Sequence, residues 1–320
     1  MKILFSADIH IKLGQKNVPV DWAKNRFSLF IHQFKEMQKH ADIVIIGGDT
    51  FDRLPTMDEV ELYFDLVASM IKPTIIYPGN HEMLKKTTTF LTSLKKATNQ
   101  INPLVTICDD YYSDILGGDV DIIPYNKLKE YTPADIDMHG RILCTHVRGE
   151  IPPHVKPEIP LELLDRWEVV LAGDLHSYEN SQRNILYPGS PYTTSFHRHR
   201  VDTGAIMLDT DSLEHVWLKF NLPQLIRKTV GVSDPKPATD FDHTIYEVEG
   251  DLSELSGLAD NELIDKKVTK RQTDVALILD KEMSLTEEVK EYLEFIMQLP
   301  NETIEQVLKV FHDNEQKIEY

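Results

Sequence analysis

Eight residues of metal-ligand type fall just past apolar, strand-like runs, and all of them precede residue 180: Asp8, His10, Asp49, Asn80, His81, His146, Asp174 and His176. The pattern is clearest from Ile43 to Asp52, Ile-Val-Ile-Ile-Gly-Gly-Asp-Thr-Phe-Asp, where a β-branched run stops at two glycines and delivers a carboxylate. Such a run suits a strand buried on both faces, and in an α/β sheet ligands sit at the carboxyl edge of the strands. Asp8 and His10 stand two apart, a spacing that turns both to one side of an extended backbone, where they can hold a single ion. Asn80 and His81 follow the Pro78-Gly79 turn; neutral Asn is a weak ligand alone, which makes its place in a Gly-Asn-His turn informative. A mixed oxygen and nitrogen set suits Mn²⁺, Fe²⁺ or Zn²⁺ rather than a cysteine-rich zinc or an all-oxygen calcium site. Two ions about 4 Å apart need one bridging carboxylate, and such a pair lowers the pKa of water while holding a phosphoryl oxygen. Asp49 is expected between them.

Elements that could bring these residues together are legible in the hydrophobic periods. Strands are predicted at Lys2–Ala7, Asp42–Ile46, Thr74–Tyr77, Arg141–Cys144 and Val169–Ala172, with crossover helices at Asp21–His40 and Thr56–Ile71. Leu104–Tyr125, with its Gly117-Gly118 turn, reads as a meander with antiparallel pairing. A short helix at Leu161–Trp167, the turn Pro188-Gly189-Ser190-Pro191 and a hairpin of Ala205–Leu208 with His215–Phe220 follow. Early βαβ units followed by hairpins predict a two-sheet α/β sandwich with mixed sheets, flanked by helices. Near Asn221–Leu225 the pattern changes to a small α+β cap, with strands at Thr244–Glu249 and Val275–Leu279. A capping box, Ser284 with Glu287, opens two final helices. The expected divisions are 1–220, 221–283 and 284–320, the last belonging to the cap or docking a partner.

Composition limits the classes. Of 320 residues carrying a formal charge of -18, residues 1–220 hold 23 Lys and Arg against 30 Asp and Glu, and 221–320 hold 11 against 22. A phosphate-tracking surface should be basic, so the C-terminal third is a poor candidate for one. Bound cations would offset part of the acidity of the first part. No stretch approaches the roughly 18 consecutive apolar residues of a membrane span, and Met1–Phe5 enters a strand with no signal-peptide pattern, so a cytoplasmic location is expected. Cys108 and Cys144 are expected as reduced thiols.

In this order and at this spacing, Asp-x-His, Gly-Asp-x-x-Asp, Gly-Asn-His-Glu, a lone His after a strand and Gly-x-x-His resemble the calcineurin-like metallophosphoesterases over roughly residues 1 to 200. Gly48-Asp49-Thr50-Phe51-Asp52, Thr145-His146 and Tyr187-Pro188-Gly189-Ser190-Pro191 most resemble their SbcD-type nuclease subunits, bacteriophage versions included. The resemblance implies Asp8, His10, Asp49 and His176 on one ion, Mn²⁺ foremost, and Asp49, Asn80, His146 and Asp174 on the other. His81 would be the catalytic residue beside the substrate phosphate, with Asp52 and Glu82 orienting. The family usually has His in Gly-His-x-His where this chain has Asp174; His197-Arg198-His199 has the right spacing but stands out of chain order. Arg198 and Arg200 are candidates for DNA phosphates, a solvated loop being the bland reading. Lys266–Arg271 reads as a solvated face, and His32, His40, His139, His154 and His215 carry no motif.

The resemblance further implies exonuclease and endonuclease action on DNA in recombination, repair or replication, in the host cytoplasm if the protein is a phage one. It also implies an SbcC/Rad50-like ATPase partner, since no Gly-x-x-x-x-Gly-Lys-Ser/Thr loop occurs here, and a homodimer. A phosphatase or small-molecule phosphodiesterase on the same metal core, or a non-catalytic scaffold subunit, are the rival readings.

Overall fold

In chain order the strands that matter to the site are β1 (Lys2–Ser6), β2 (Ile43–Gly47) and β3 (Thr74–Tyr77), then a small hairpin of β4 (Met83–Lys85) and β5 (Thr88–Thr89), and β6 (Val105–Ile107). They are followed by β7 (Tyr112–Ile115), β8 (Val120–Ile123), β9 (Ile142–His146), β10 (Val169–Gly173), β11 (Ile185–Leu186), β12 (Gly204–Asp209) and β13 (His215–Lys219). The computed structural model describes residues 1–85, 88–132, 139–250, 255–259, 263–268, 283–297 and 299–315. The strand expected at Val275–Leu279 lies outside them.

One sheet runs β13-β12-β1-β2-β3-β6 and the other β11-β10-β9-β8-β7. In the first, β1, β2, β3 and β6 are parallel and the β12–β13 hairpin adds to β1 antiparallel; in the second, β8 to β11 are parallel and β7 is antiparallel. Alternation along each strand divides the core into layers. Ile3, Phe5 and Ile45 of the first sheet share one cluster with Ile122, Ile142, Cys144 and Leu171 of the second, so the sheets pack face to face. The alternate residues Leu4, Val44 and Ile46 face helices α1 (Val20–Gln38), α2 (Met57–Ser69) and α3 (Leu91–Ile101). Phe27, Phe30 and Phe34 recur at helical spacing on α1 and are buried there, each contributing about 1.5–3 kcal/mol. This is the mixed α/β sandwich that the hydrophobic pattern predicts.

The stretch Leu104–Tyr125 is a correction. Within it only β7 and β8 form an antiparallel pair; β6 leaves α3 and pairs parallel with β3 in the other sheet. The crossover helix α3, whose Leu91, Leu94 and Ile101 recur at helical spacing, supplies that parallel connection, and the sequence reading places no helix there. The helix expected at Leu161–Trp167 is a 3₁₀ turn, Leu161–Leu164. Both cysteines are free, with Cys144 buried between the sheets.

A three-stranded sheet, β14 (Leu225–Gly231), β15 (His243–Gly250) and β16 (Ile264–Val268), follows. The chain divides into two units, residues Met1–Val248 with Leu258–Lys266, and Glu249–Gly257 with Lys267–Tyr320. In the second, the Ser284–Glu287 capping box forms as its sequence predicts, opening a helix at Leu285–Glu291 that passes through a π turn, Tyr292–Ile296; Asn301–Glu315 is the last helix. Among the described residues no helix is long and apolar enough to cross a membrane.

Candidate metal centre

The carboxyl ends of β1, β2 and β3 in one sheet and of β9 and β10 in the other come to the same edge of the sandwich. Tyr77 Oη donates to the Thr145 carbonyl (2.8 Å), and His146 Nδ1 donates to the Gly47 carbonyl (2.9 Å), which ties the two sheets where their ligand-type residues emerge. His146 is the last residue of β9 rather than a loop residue beyond it.

Asp8 and His10 do face a common centre, but not through strand alternation. Asp8 (φ 56°), His10 (φ 48°), Asp49 (φ 50°) and Asp174 (φ 101°) all have left-handed backbones. Non-glycine residues rarely hold that conformation, and such strain concentrates at functional sites where the surroundings over-determine it. The surroundings are identifiable. Asp8 and His10 N–H groups donate to the Gly48 and Asp49 carbonyls. Buried Glu82 fastens the β2 turn to the β3 turn, accepting from Asp49 N (3.0 Å) and Gly79 N (2.8 Å) on one oxygen and Phe51 N (2.8 Å) on the other. Ser190 Oγ donates to the Asp8 carbonyl (2.6 Å) and Ser190 N to that of His176, so the Gly-Ser turn straps the β1 and β10 loops together.

At the centre, Asp49 Oδ2 lies 3.4 Å from His146 Nε2, 3.7 Å from His10 Nε2 and 3.9 Å from His81 Nε2, while its Oδ1 accepts the His81 backbone N–H (2.9 Å). His10 Nε2 and His176 Nε2 are 3.1 Å apart, and His176 Nε2 is 3.9 Å from Asp8 Oδ1. Asn80 Oδ1 is 2.9 Å from His146 Nε2. Three sets of donor atoms could each hold a cation within 4.8 Å: Asp8, His10 and His176; Asp8, Asp49 and His146; and His10, Asp49 and His81. His81 is anchored through Nδ1–H to the Asp52 carbonyl (2.6 Å), and the Asp52 carboxylate stands 3.6 Å from His10 Nδ1 and 2.7 Å from Lys12 Nζ.

The electrostatics of the protein alone call for positive charge. Burial, with the carboxylates of Asp49 and Asp174 nearby, pushes the Asp8 carboxyl up to about 8. Burial opposes ionisation of Asp49, yet the imidazoles of His146, His10 and His81 hold it well below the usual carboxylate range. Burial equally opposes protonation of His146, but Asp49, Asp8 and Asp174 hold it well above the imidazole range. Burial pushes His10 down to about 3, which keeps it the neutral imidazole a metal needs, and its buried Nδ1 has no hydrogen-bond partner. Two buried carboxylates, Asp8 and Asp49, set among four imidazoles form a mixed oxygen and nitrogen donor set that fits divalent cations.

Glycine is required where the turns meet. A Cβ on Gly79 would stand 2.1 Å from Asp49 Oδ1 and 2.5 Å from Asp49 N. Gly79→Ala is therefore expected to move the Asp49 turn, lowering stability by about 1–3 kcal/mol in urea denaturation and weakening cation binding measured by calorimetry. Unchanged binding would show that the β3 turn does not hold Asp49 in place.

The other sequence candidates sit apart. Asp174 is at the centre's edge, with Oδ1 3.9 Å from His146 Nε2, but both of its oxygens accept from Arg148. Arg198 donates to Thr229 on β14 (2.8 Å). Arg200 is paired with Asp242 and the Leu222 carbonyl, and lines with His176 a cavity of about 600 Å³. Sequence reasoning missed Arg148, and the available signal was the departure at 174: a carboxylate in place of an imidazole asks for a cation nearby.

The calcineurin-like phosphoesterase family model matches residues 1–202. The chain is 39% identical over 323 residues to the Escherichia phage T5 protein named "Probable exonuclease subunit 1", covering 96% of this chain and 97% of that one. Among solved structures, an archaeal phosphodiesterase is 16% identical, with 69% of this chain and 100% of that one covered at a TM-score of 0.39. A Thermus thermophilus protein is 11% identical, with 68% and 98% covered at a TM-score of 0.42.

Proposed function

This chain belongs to the calcineurin-like phosphoesterase family, and on that footing we propose that it is the nuclease subunit of an SbcCD-like complex. Its reaction is hydrolysis of DNA phosphodiester bonds with two divalent cations, Mn²⁺ foremost, as an exonuclease and endonuclease in recombination, repair or replication. One observation carries the reading: a single carboxylate oxygen, Asp49 Oδ2, faces His10 and His146 at 3.7 and 3.4 Å, in a chain similar almost end to end to a phage protein named as an exonuclease subunit.

Asp8, His10 and His176 with Asp49 would hold one cation, and Asn80 and His146 with Asp49 the other. Bound there, the pair supplies Lewis acidity toward a phosphoryl oxygen and a water of lowered pKa. The chain's own groups do the rest. The His81 N–H fixes Asp49 Oδ1, which turns Oδ2 toward His10 and His146, where it would help to hold the cations. With Nδ1–H committed to the Asp52 carbonyl, His81 presents Nε2 to the centre from a side chain 38% exposed, within reach of a substrate. Protonated, it donates to the phosphoryl group or to the departing 3′ oxygen.

ATP use falls to a partner ATPase, because the chain has no P-loop motif. The last helices are its docking element on this reading, with Val307 and Val310 as exposed apolar side chains of the final one. A homodimer contact through α1 or α2 belongs to the same reading; Val20 and Met57, their first residues, are exposed.

Purified protein assayed on end-labelled DNA and on p-nitrophenyl phosphates, with and without Mn²⁺, is expected to cleave DNA in a Mn²⁺-dependent manner and the small esters far more slowly. Faster turnover of the small esters would make it a phosphatase or small-molecule phosphodiesterase, and inactivity on both a scaffold subunit.

A further inference from the structure

Asp174 occupies a ligand position in the sequence pattern but spends its carboxylate elsewhere. Oδ2 accepts from Arg148 Nε (2.9 Å) and Oδ1 from Arg148 Nη2 (3.1 Å), a two-point pairing that fixes the guanidinium plane. Its backbone N–H donates to Asp8 Oδ1 (3.0 Å), so the same residue is locked to the centre through its main chain. Asp174 is in none of the three donor sets that could hold a cation. The pair as a whole is neutral, so Arg148 offsets part of the charge that the Asp174 carboxylate brings beside His146.

Burial within the pair is lopsided. The Asp174 side chain is 5% exposed and that of Arg148 42%. Among the described residues Arg148 Nη1 has no hydrogen-bond partner, so a positive, planar donor is held rigidly with one corner toward solvent. Its position is set by β9: Arg148 comes two residues after His146, and its backbone N–H is tied to Glu158 (3.2 Å). The carboxylate that grips it reaches to 3.9 Å from His146 Nε2. On the same side, Tyr125 sets its ring edge against His146 and donates to Glu158, and with Asn80, Lys85 and Lys129 it lines a groove of about 690 Å³.

We propose that Arg148 binds a phosphoryl oxygen of the substrate, and that Asp174 is the residue that positions it rather than a cation ligand. The inference rests on the two-cation reading above and names the group that would grip the phosphate on the Asn80 and His146 side. Arginine suits the task because its fork matches phosphate oxygens and cannot lose its charge.

The full chain carrying Arg148→Ala, Arg148→Lys, Asp174→Asn and the double change Arg148→Ala with Asp174→Asn is compared with the wild type by calorimetry, for Mn²⁺ stoichiometry and for the affinity of the Mn²⁺-loaded protein for inorganic phosphate. All four variants are expected to bind as many Mn²⁺ ions as the wild type. Phosphate affinity should fall about 10- to 100-fold in Arg148→Ala, less in Arg148→Lys and in Asp174→Asn. The double variant should be no worse than Arg148→Ala, because Asp174 acts only through Arg148. One Mn²⁺ lost in Asp174→Asn would make Asp174 a ligand, and unchanged phosphate affinity in Arg148→Ala would remove the phosphate role; either overturns the proposal. Binding of phosphate can be read by calorimetry whether or not DNA is cut, so an inactive wild type defeats the nuclease reading without deciding this one.

Discussion

Asparagine in place of Asp49 is expected to empty the centre of cations: Mn²⁺ retained after dialysis, measured by plasma mass spectrometry, falls from two per chain to near none, and DNA cleavage disappears with it. The substitution is the sharpest available because so little else changes. Asn tolerates the left-handed backbone that position 49 requires (φ 50°), and its carbonyl can still accept the His81 N–H. What is lost is the second oxygen, the one facing His10, His146 and His81, and an amide nitrogen there would turn a donor toward three prospective ligands. Losing a residue that merely orients a ligand costs about 10- to 100-fold in metal affinity, so the loss here should exceed about 100-fold. A second readout needs no metal. In the apoprotein Asp49 leads the charges that hold His146 well above the usual imidazole range, against burial. With that charge removed burial weighs more, and the His146 titration followed by NMR should move to lower pH. A variant that still binds two Mn²⁺ ions would mean that no shared carboxylate exists.

Much of this was written in local pattern. The alternation of Leu4 with Ile3 and Phe5, and of Val44 with Ile43 and Ile45, marks strands buried on both faces, and the Ser284 capping box marks a helix start. The ligand-type residues stood out because each ended such a strand. Other features have no local signature. Asp8 and His10 reach one centre through two left-handed residues braced by carbonyls of the β2 turn, a fact that period-2 reasoning cannot contain. Glu82 is expected to orient the centre, but the sequence does not say how: it clamps the β3 turn at Gly79 to the β2 turn, where Asp49 and Phe51 lie 33 and 31 residues away in sequence. Arg148 and Asp174 are 26 residues apart, just past the ends of the neighbouring parallel strands β9 and β10, and their meeting is a product of the fold. The misreading of β6 has a similar origin: a three-residue strand carries too little pattern to tell which sheet it joins.

Loss of the His81 imidazole should separate chemistry from cation binding. In His81→Ala the rate on DNA is expected to fall by about 10²- to 10⁴-fold, the range for a group that moves a proton or meets developing charge, with Mn²⁺ stoichiometry unchanged. The second half of that expectation is not automatic, because His10, Asp49 and His81 form one of the three donor sets that could hold a cation. Geometry favours the substrate role. His10 is 3% exposed in its side chain while His81 is 38% exposed, Nε2 of His81 stands farther from Asp49 Oδ2 than either other imidazole, and its Nδ1 is pinned to the Asp52 carbonyl, which holds the ring at the rim of the centre. The leaving group distinguishes the two ways it could act. From a thymidine p-nitrophenyl phosphate the leaving group, p-nitrophenolate, departs without needing a proton, so if His81 protonates the leaving oxygen the variant should retain most of the wild-type rate on that ester while staying slow on DNA. Equal slowing on both would place His81 on the phosphoryl oxygens instead. Loss of one bound Mn²⁺ would make it a ligand, and full activity on DNA would take it out of the reaction altogether.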